Sequence, residues 1–144
     1  MEILIREFET TDSIGIFKLN RDEMGYGYPL EETRANLLKL SKSAQDKIYV
    51  AVAGEEVVGY VHVNDYDLIY APHMKNIMGI AVSKNWKHKG VGRALLERAE
   101  EWARSTGAVG MRLASGASRT DAHGFYHNRG YCGDKMQLNL KKMF

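Results

Sequence analysis

The chain is poor in the residues that staple, break or anchor proteins. Among 144 residues it has one cysteine, Cys132, and two prolines. A lone cysteine excludes an internal disulfide, and without a cysteine cluster no zinc ligand set stands out. No Pro-, Gly- or Ser-rich stretch offers a linker. No run of 18 or more apolar residues signals a membrane-spanning helix. The start, Met1-Glu2-Ile3-Leu4-Ile5-Arg6-Glu7, lacks the basic start and the long apolar core of a secretion signal. These absences predict one domain over residues 1–144, cytoplasmic, with no metal and no membrane partner. The net charge of only +2 gives no general attraction for nucleic acid.

What the chain does have is apolar patterning. Apolar residues make up 44% of it, enough for a sizeable core at this length. Residues 3–8 alternate apolar and polar side chains, the period of a half-buried strand. Thr10-Thr11-Asp12 offer N-cap groups for a short helix to about residue 20. Residues 21–28 read as a loop, and Pro29 stands as the first residue of a second helix over 30–43. Two β-rich runs, 48–53 and 57–63, flank Gly54-Glu55-Glu56 and read as a hairpin. Residues 74–82 form a further strand. A helix over 91–105 puts Val91, Leu95, Ala99 and Trp102 on one side, with Arg93–Glu97 and Glu100–Arg104 pairs on its wet face. A strand over 110–114 and a short helix over 122–128 follow. A terminal strand over 137–141 alternates Leu138 and Leu140 with polar residues. The expected class is α/β: a mixed, mostly antiparallel sheet of six to seven strands with helices on both faces.

The most informative segment is Lys87-His88-Lys89-Gly90-Val91-Gly92-Arg93, set between the strand ending at Val82 and the helix over 91–105. A short basic-glycine loop in that place aims unpaired N–H groups and the positive end of a helix at one point, which suits an anionic diphosphate. Gly90 and Gly92 let a ligand lie against the backbone. Lys87, His88, Lys89 and Arg93 add charge around it. A Walker-type loop would need Gly-Lys-Ser/Thr where Gly92-Arg93-Ala94 stands, and a dinucleotide fingerprint would need a third glycine at Leu95. Neither fits, so a phosphate-binding helix start of another kind remains, beside the plainer reading of a tight solvated turn.

Taken with a later segment, Ala122-His123-Gly124-Phe125-Tyr126-His127-Asn128-Arg129-Gly130-Tyr131, this loop resembles the GNAT superfamily of acyl-CoA-dependent N-acetyltransferases. The family's loop, Gln/Arg-x-x-Gly-x-Gly/Ala, is matched by Lys87-His88-Lys89-Gly90-Val91-Gly92. Its later signature, roughly Ala-x-x-Phe-Tyr-x-x-x-Gly-Phe/Tyr, is matched by Ala122, Phe125, Tyr126, Gly130 and Tyr131. The order of elements agrees over nearly the whole chain.

The resemblance implies acetyl-CoA as co-substrate and direct attack by an amine in a ternary complex. It implies that the backbone of residues 89–93 holds the diphosphate. Ile80, Ala81 and Val82 would line the pantetheine arm, and a backbone N–H near Ile80 would hold the oxyanion. Tyr126 would protonate the departing thiolate, because a tyrosine with an ordinary pKa of about 10 stays protonated at neutral pH. Two positions depart from the family: Lys87 replaces a forked side chain with a point charge, and Arg119 stands where an asparagine is frequent and would reach a phosphate instead. Cys132 has no partner base nearby in sequence and is not needed as an acyl carrier.

The general base is left open. Many members carry a glutamate on the strand before the loop, and here that strand offers Asn76, Met78 and Gly79 but no carboxylate. His62, Asp65, Asp67, His73 or a water chain ending at a backbone carbonyl could serve. For the acceptor, Tyr26 and Tyr28 in one loop and Asp65 and Asp67 in another form acidic, aromatic surfaces that favour a cationic amine. A small-molecule amine (polyamine-, aminoglycoside- or amino-acid-like) or a protein amine fits such a surface. A homodimer is common in the family. Two other readings stand beside the enzyme: a non-catalytic acyl-CoA sensor on the same fold, which the missing strand glutamate favours, and a nucleic-acid module using the basic loop, which the low net charge opposes.

Overall fold

Strand formation follows the β-branched runs. Ile48-Tyr49-Val50-Ala51-Val52-Ala53 is buried throughout and closes β2 (Asp46–Ala53), as expected of a central strand covered on both faces. β1 (Ile3–Glu7) pairs with it at the edge, and β3 (Glu56–Tyr66) returns from the Gly54 turn on its other side. β4 (Met74–Val82) adds to β3, and β5 (Met111–Leu113) adds to β4. The sheet order is β1-β2-β3-β4-β5, antiparallel except for the parallel β4–β5 pair. The computed structural model describes residues 2–144. They divide into two compact units, one ending at Leu113 and one spanning Ala114–Phe144.

In the first unit, α1 (Ser13–Glu23) and α2 (Leu30–Ser41) cover one face of the sheet. Ile16 and Leu37 pack with Ile48, Val50 and Val52 there. α3 (Val91–Ser105) covers the other face. It buries Val91, Leu95, Leu96, Ala99 and Ala103 and lays the Arg98 guanidinium 4.7 Å from the ring centre of Tyr49. Tyr49 points away from its neighbours Ile48 and Val50 because successive strand side chains alternate faces. Full burial of each large aliphatic side chain in these layers contributes about 1.5–3 kcal/mol.

Two charged groups are buried with partners. Asp12, at the entrance to α1, takes both arms of the Arg6 fork at 2.8 and 2.9 Å and the Glu9 N–H at 2.7 Å. The Lys75 ammonium bonds the Asp65 carboxylate, lies 2.9 Å from His73 Nε2, and stands 4.3 Å over the Trp102 ring. Trp102 is half-buried beside that cation, whereas Leu96 and Ala103 complete the buried apolar stripe of α3. Pro29 is the N-cap of α2 rather than its first helical residue, and its carbonyl accepts both the N–H and the hydroxyl of Thr33.

The second unit holds α4 (Thr120–Asn128), where Tyr126 is buried. Residues 137–141 are not a strand, so the sheet has five strands rather than six or seven. Leu138 and Leu140 are exposed at 85% and 81%. Period-two alternation assigns faces to a strand, but a strand also needs a partner edge, and none of the described strands pairs with this segment. No helix among the described residues is long and apolar enough to cross a membrane.

Candidate active site

The basic-glycine loop is built by a short chain of local constraints. A 3₁₀ turn, Lys84–Trp86, leads out of β4. His88 then takes φ 61° and Gly90 φ 84°, two left-handed residues that swing the backbone into α3. At Gly90 a side chain would be strained by that φ, although a β-carbon would meet nothing within 4 Å. No side chain caps α3, and its first internal bond runs from Ala94 N–H to the Gly90 carbonyl at 3.0 Å. The N–H groups of Val91, Gly92 and Arg93 therefore have no partner within the helix. They form the positive end of a 15-residue helix with no acidic residue in its first turn.

Lys87, His88, Lys89 and Arg93 are exposed around this point. The Lys89 ammonium rests 5.1 Å from the centre of the Trp86 ring, and Lys87 Nζ lies 3.9 Å from Glu23 Oε1. Arg93 donates to Glu97 at 2.8 Å, an exposed pair worth little in stability, so its charge remains free to serve an anion.

β4 brings an open edge to the same end of the sheet. Its ladder with β5 covers only Lys75, Asn76 and Ile77, because β5 stops at Leu113. Residues 78–82, which include Ile80, Ala81 and Val82, run on without a strand partner on that side among the described residues. On the other side, the β3 pairing steps from His62↔Gly79 to Val63↔Ile77 and leaves Met78 as a bulged residue, 55% exposed. A bulge re-aims the backbone and ends regular pairing, and such bulges concentrate near active sites. The geometry offers a linear amide ligand an edge to pair with, next to an uncapped helix start of the kind that suits an anion.

A cavity of about 290 Å³ lies on the α1–α2 face of the sheet. Tyr26, Tyr28, Asn20, Asn36, Tyr60 and His62 supply its polar and aromatic wall. The Tyr60 hydroxyl donates to Asn20 Oδ1, and His62 Nε2 lies 2.7 Å from Asp46 Oδ1. Gly79, opposite His62 in the ladder, puts no side chain between this wall and β4. Of the sequence-predicted acceptor residues, Tyr26 and Tyr28 line this cavity. Asp65 and Asp67 are not among its lining residues: Asp65 is held by Lys75, and Asp67 lies 2.6 Å from His73 Nδ1. The Tyr60–Asn20 bond and the His62–Asp46 pair had no signal in the sequence, since each joins residues far apart in the chain.

Burial pushes the Tyr60 hydroxyl up to about 12, with Tyr26 adding to the rise and the bond to Asn20 opposing it. The folded state then keeps a proton that the unfolded chain releases above about pH 10. Stability from this group is complete below that pH and is lost as pH rises through about 12, by at most about 2.7 kcal/mol. Tyr60→Phe is expected to flatten the fall of the denaturant midpoint between about pH 9.5 and 11.5 relative to wild type. Parallel pH curves for the two proteins would contradict this.

In the second unit, Tyr126 packs edge-on against Phe125 at 5.3 Å and Tyr131 at 6.0 Å. Burial raises its pKa and Arg119 partly offsets the rise. Arg119 is the N-cap of α4, with an exposed side chain.

The model of the acetyltransferase (GNAT) family matches residues 14–131. An aminoalkylphosphonate N-acetyltransferase of Salmonella typhimurium is 32% identical over 126 residues, which cover 85% of this chain and 79% of that protein. Among solved structures, the aminoglycoside N-acetyltransferase AAC(6')-Iy in complex with CoA superposes with a TM-score of 0.88 at 16% identity, covering 98% of this chain and 95% of that one. A transcriptional regulator of Bacillus halodurans C-125 also gives 0.88, at 22% identity and 98% and 100% coverage. At these identities the structures share the fold.

Proposed function

The chain belongs to the GNAT acetyltransferase family, and on that premise we propose that it moves the acetyl group of acetyl-CoA to a primary amine of a small molecule. The observation that carries this reading is the meeting of an uncapped helix start with the open edge of β4. The N–H groups of residues 89–93, with Lys87, His88, Lys89 and Arg93, hold the diphosphate. Ile80, Ala81 and Val82 receive the pantetheine arm along the free edge, and Arg119 reaches a phosphate. Acetyl-CoA supplies a thioester carbonyl, which the amine attacks directly. A β4 backbone N–H near Ile80 steadies the oxyanion, and the Tyr126 hydroxyl gives its proton to the departing thiolate.

The acceptor enters the cavity walled by Tyr26, Tyr28 and Tyr60, where aromatic faces attract a cationic amine. The substrates for which these relatives are named, aminoalkylphosphonates and aminoglycosides, support a small amine over a protein tail. Calorimetric titration with acetyl-CoA, with dephospho-CoA as control, is the first test. Micromolar binding followed by thiol release with at least one amine is the expected result. A folded sample that gives no heat overturns the diphosphate site. Binding without turnover of any amine turns the reading into the acyl-CoA sensor, which the absence of a carboxylate on β4 favours.

A further inference from the structure

Resting on that acetyltransferase reading, we propose that the His62 imidazole, oriented by Asp46, removes the proton that the acceptor amine must lose to become a nucleophile. Four observations place it there. β4 carries no carboxylate of its own. His62 lines the 290 Å³ cavity together with the tyrosines that would receive the amine. Its ladder partner is Gly79, one step from the Met78 bulge where the open edge of β4 begins. Directly opposed residues of an antiparallel pair lie about 4.5–5.5 Å apart, so the imidazole stands one strand from the thioester edge. Finally, the other candidates are committed elsewhere, since Asp65, Asp67 and His73 form a network with the buried Lys75 ammonium.

The Asp46 carboxylate sits 2.7 Å from Nε2, with both side chains mostly buried at 17% and 13% exposure. A carboxylate accepts only, so Nε2 carries a hydrogen and the lone pair is on Nδ1. The same carboxylate steadies the imidazolium once it forms, as an acid orienting a histidine base does. Besides His62, the titratable groups lining the cavity are Tyr26, Tyr28 and Tyr60, and the lining residues of α1 and α2 carry no charge. Asp46, which is not itself among the lining residues, supplies the charge paired with the imidazole.

The step balances as follows. The substrate ammonium gives one proton to Nδ1, and its freed electron pair forms the C–N bond to the acetyl carbon. The C–S bond then breaks with its electrons on sulfur, and the thiolate takes a proton from Tyr126. The second nitrogen proton leaves as the amide forms and restores the tyrosine, and the imidazolium proton goes to solvent. One proton is released per acetyl transferred.

The test compares wild type, His62→Gln and Asp46→Asn at neutral pH with two kinds of acceptor. The first kind is strongly basic: 2-aminoethylphosphonate, kanamycin and spermidine. The second is hydroxylamine, which is already unprotonated at that pH. With a basic amine, His62→Gln is expected to lose about 100-fold or more in kcat/KM. With hydroxylamine the loss is expected to shrink to a few-fold. Asp46→Asn follows the same pattern at smaller size, a contrast that a merely structural pair would not give. Acetyl-CoA affinity, and amine affinity in the presence of CoA, stay at wild-type values by calorimetry. Equal losses with both kinds of acceptor, or none with either, would overturn the role of His62 while leaving the enzyme intact. Failure of the wild type to acetylate any of them would overturn the acetyltransferase reading itself.

Discussion

Tyr126→Phe is expected to lower kcat by about 100-fold or more while acetyl-CoA binds within about twofold of wild type. The substitution removes one oxygen and leaves the ring, so its edge-on packing against Phe125 and Tyr131 persists. What is lost, on the proposed mechanism, is the proton for the departing thiolate. Burial raises the hydroxyl pKa, so the proton is held more tightly than in an ordinary tyrosine. Any alkaline fall in wild-type kcat that follows this group should therefore have its midpoint above the ordinary tyrosine value of about 10. Steady-state thiol release, read beside calorimetry, separates the two quantities. An unchanged kcat would remove Tyr126 as the acid. A weakened Kd with kcat intact would make it a binding residue.

Gly92→Val is expected to raise the Kd for acetyl-CoA by about 100-fold or more, equivalent to about 2.7 kcal/mol. Position 92 lies in the first turn of α3, where the N–H groups of Val91, Gly92 and Arg93 lack internal partners. A branched side chain there crowds the anion that these groups would hold. The fold itself should tolerate it, because valine is no worse than glycine inside a helix. Unfolding midpoints near wild type, together with the lost affinity, would identify the defect as local. Gly90→Val is the harsher variant: φ of 84° at that position adds strain of about 1–2 kcal/mol. Undiminished binding by a folded Gly92→Val protein would sink the diphosphate assignment.

How much of this could be read in advance depends on how local each feature is. The loop at 87–93 and the start of the helix after it are specified mainly by neighbouring residues. Glycines, a basic run and an amphipathic stripe at helical spacing specify a helix start wherever the chain goes, and α3 begins at Val91 as that pattern requires. The β2–β3 hairpin was equally legible, from its β-branched runs and the Gly54 turn. The terminal segment shows the limit. Leu138 and Leu140 alternate like a strand, yet they are exposed, because alternation states which side chains share a face and not whether a partner edge exists.

The same limit governs the site. Sequence placed Tyr26 and Tyr28 beside Asp65 and Asp67 on composition alone. The folded chain puts the two tyrosines on a cavity and commits the two aspartates to Lys75 and His73. The α/β class, the uncapped helix start and the tyrosine of the later motif were written in contiguous residues, where steric preference and hydrophobic period act over a few positions. The bulge at Met78, the early end of β5 that frees residues 78–82, and the meeting of His62 with Asp46 came from strand register. Register is a property of pairs of strands: it depends on which side chains the whole sheet buries, and no single segment carries that information.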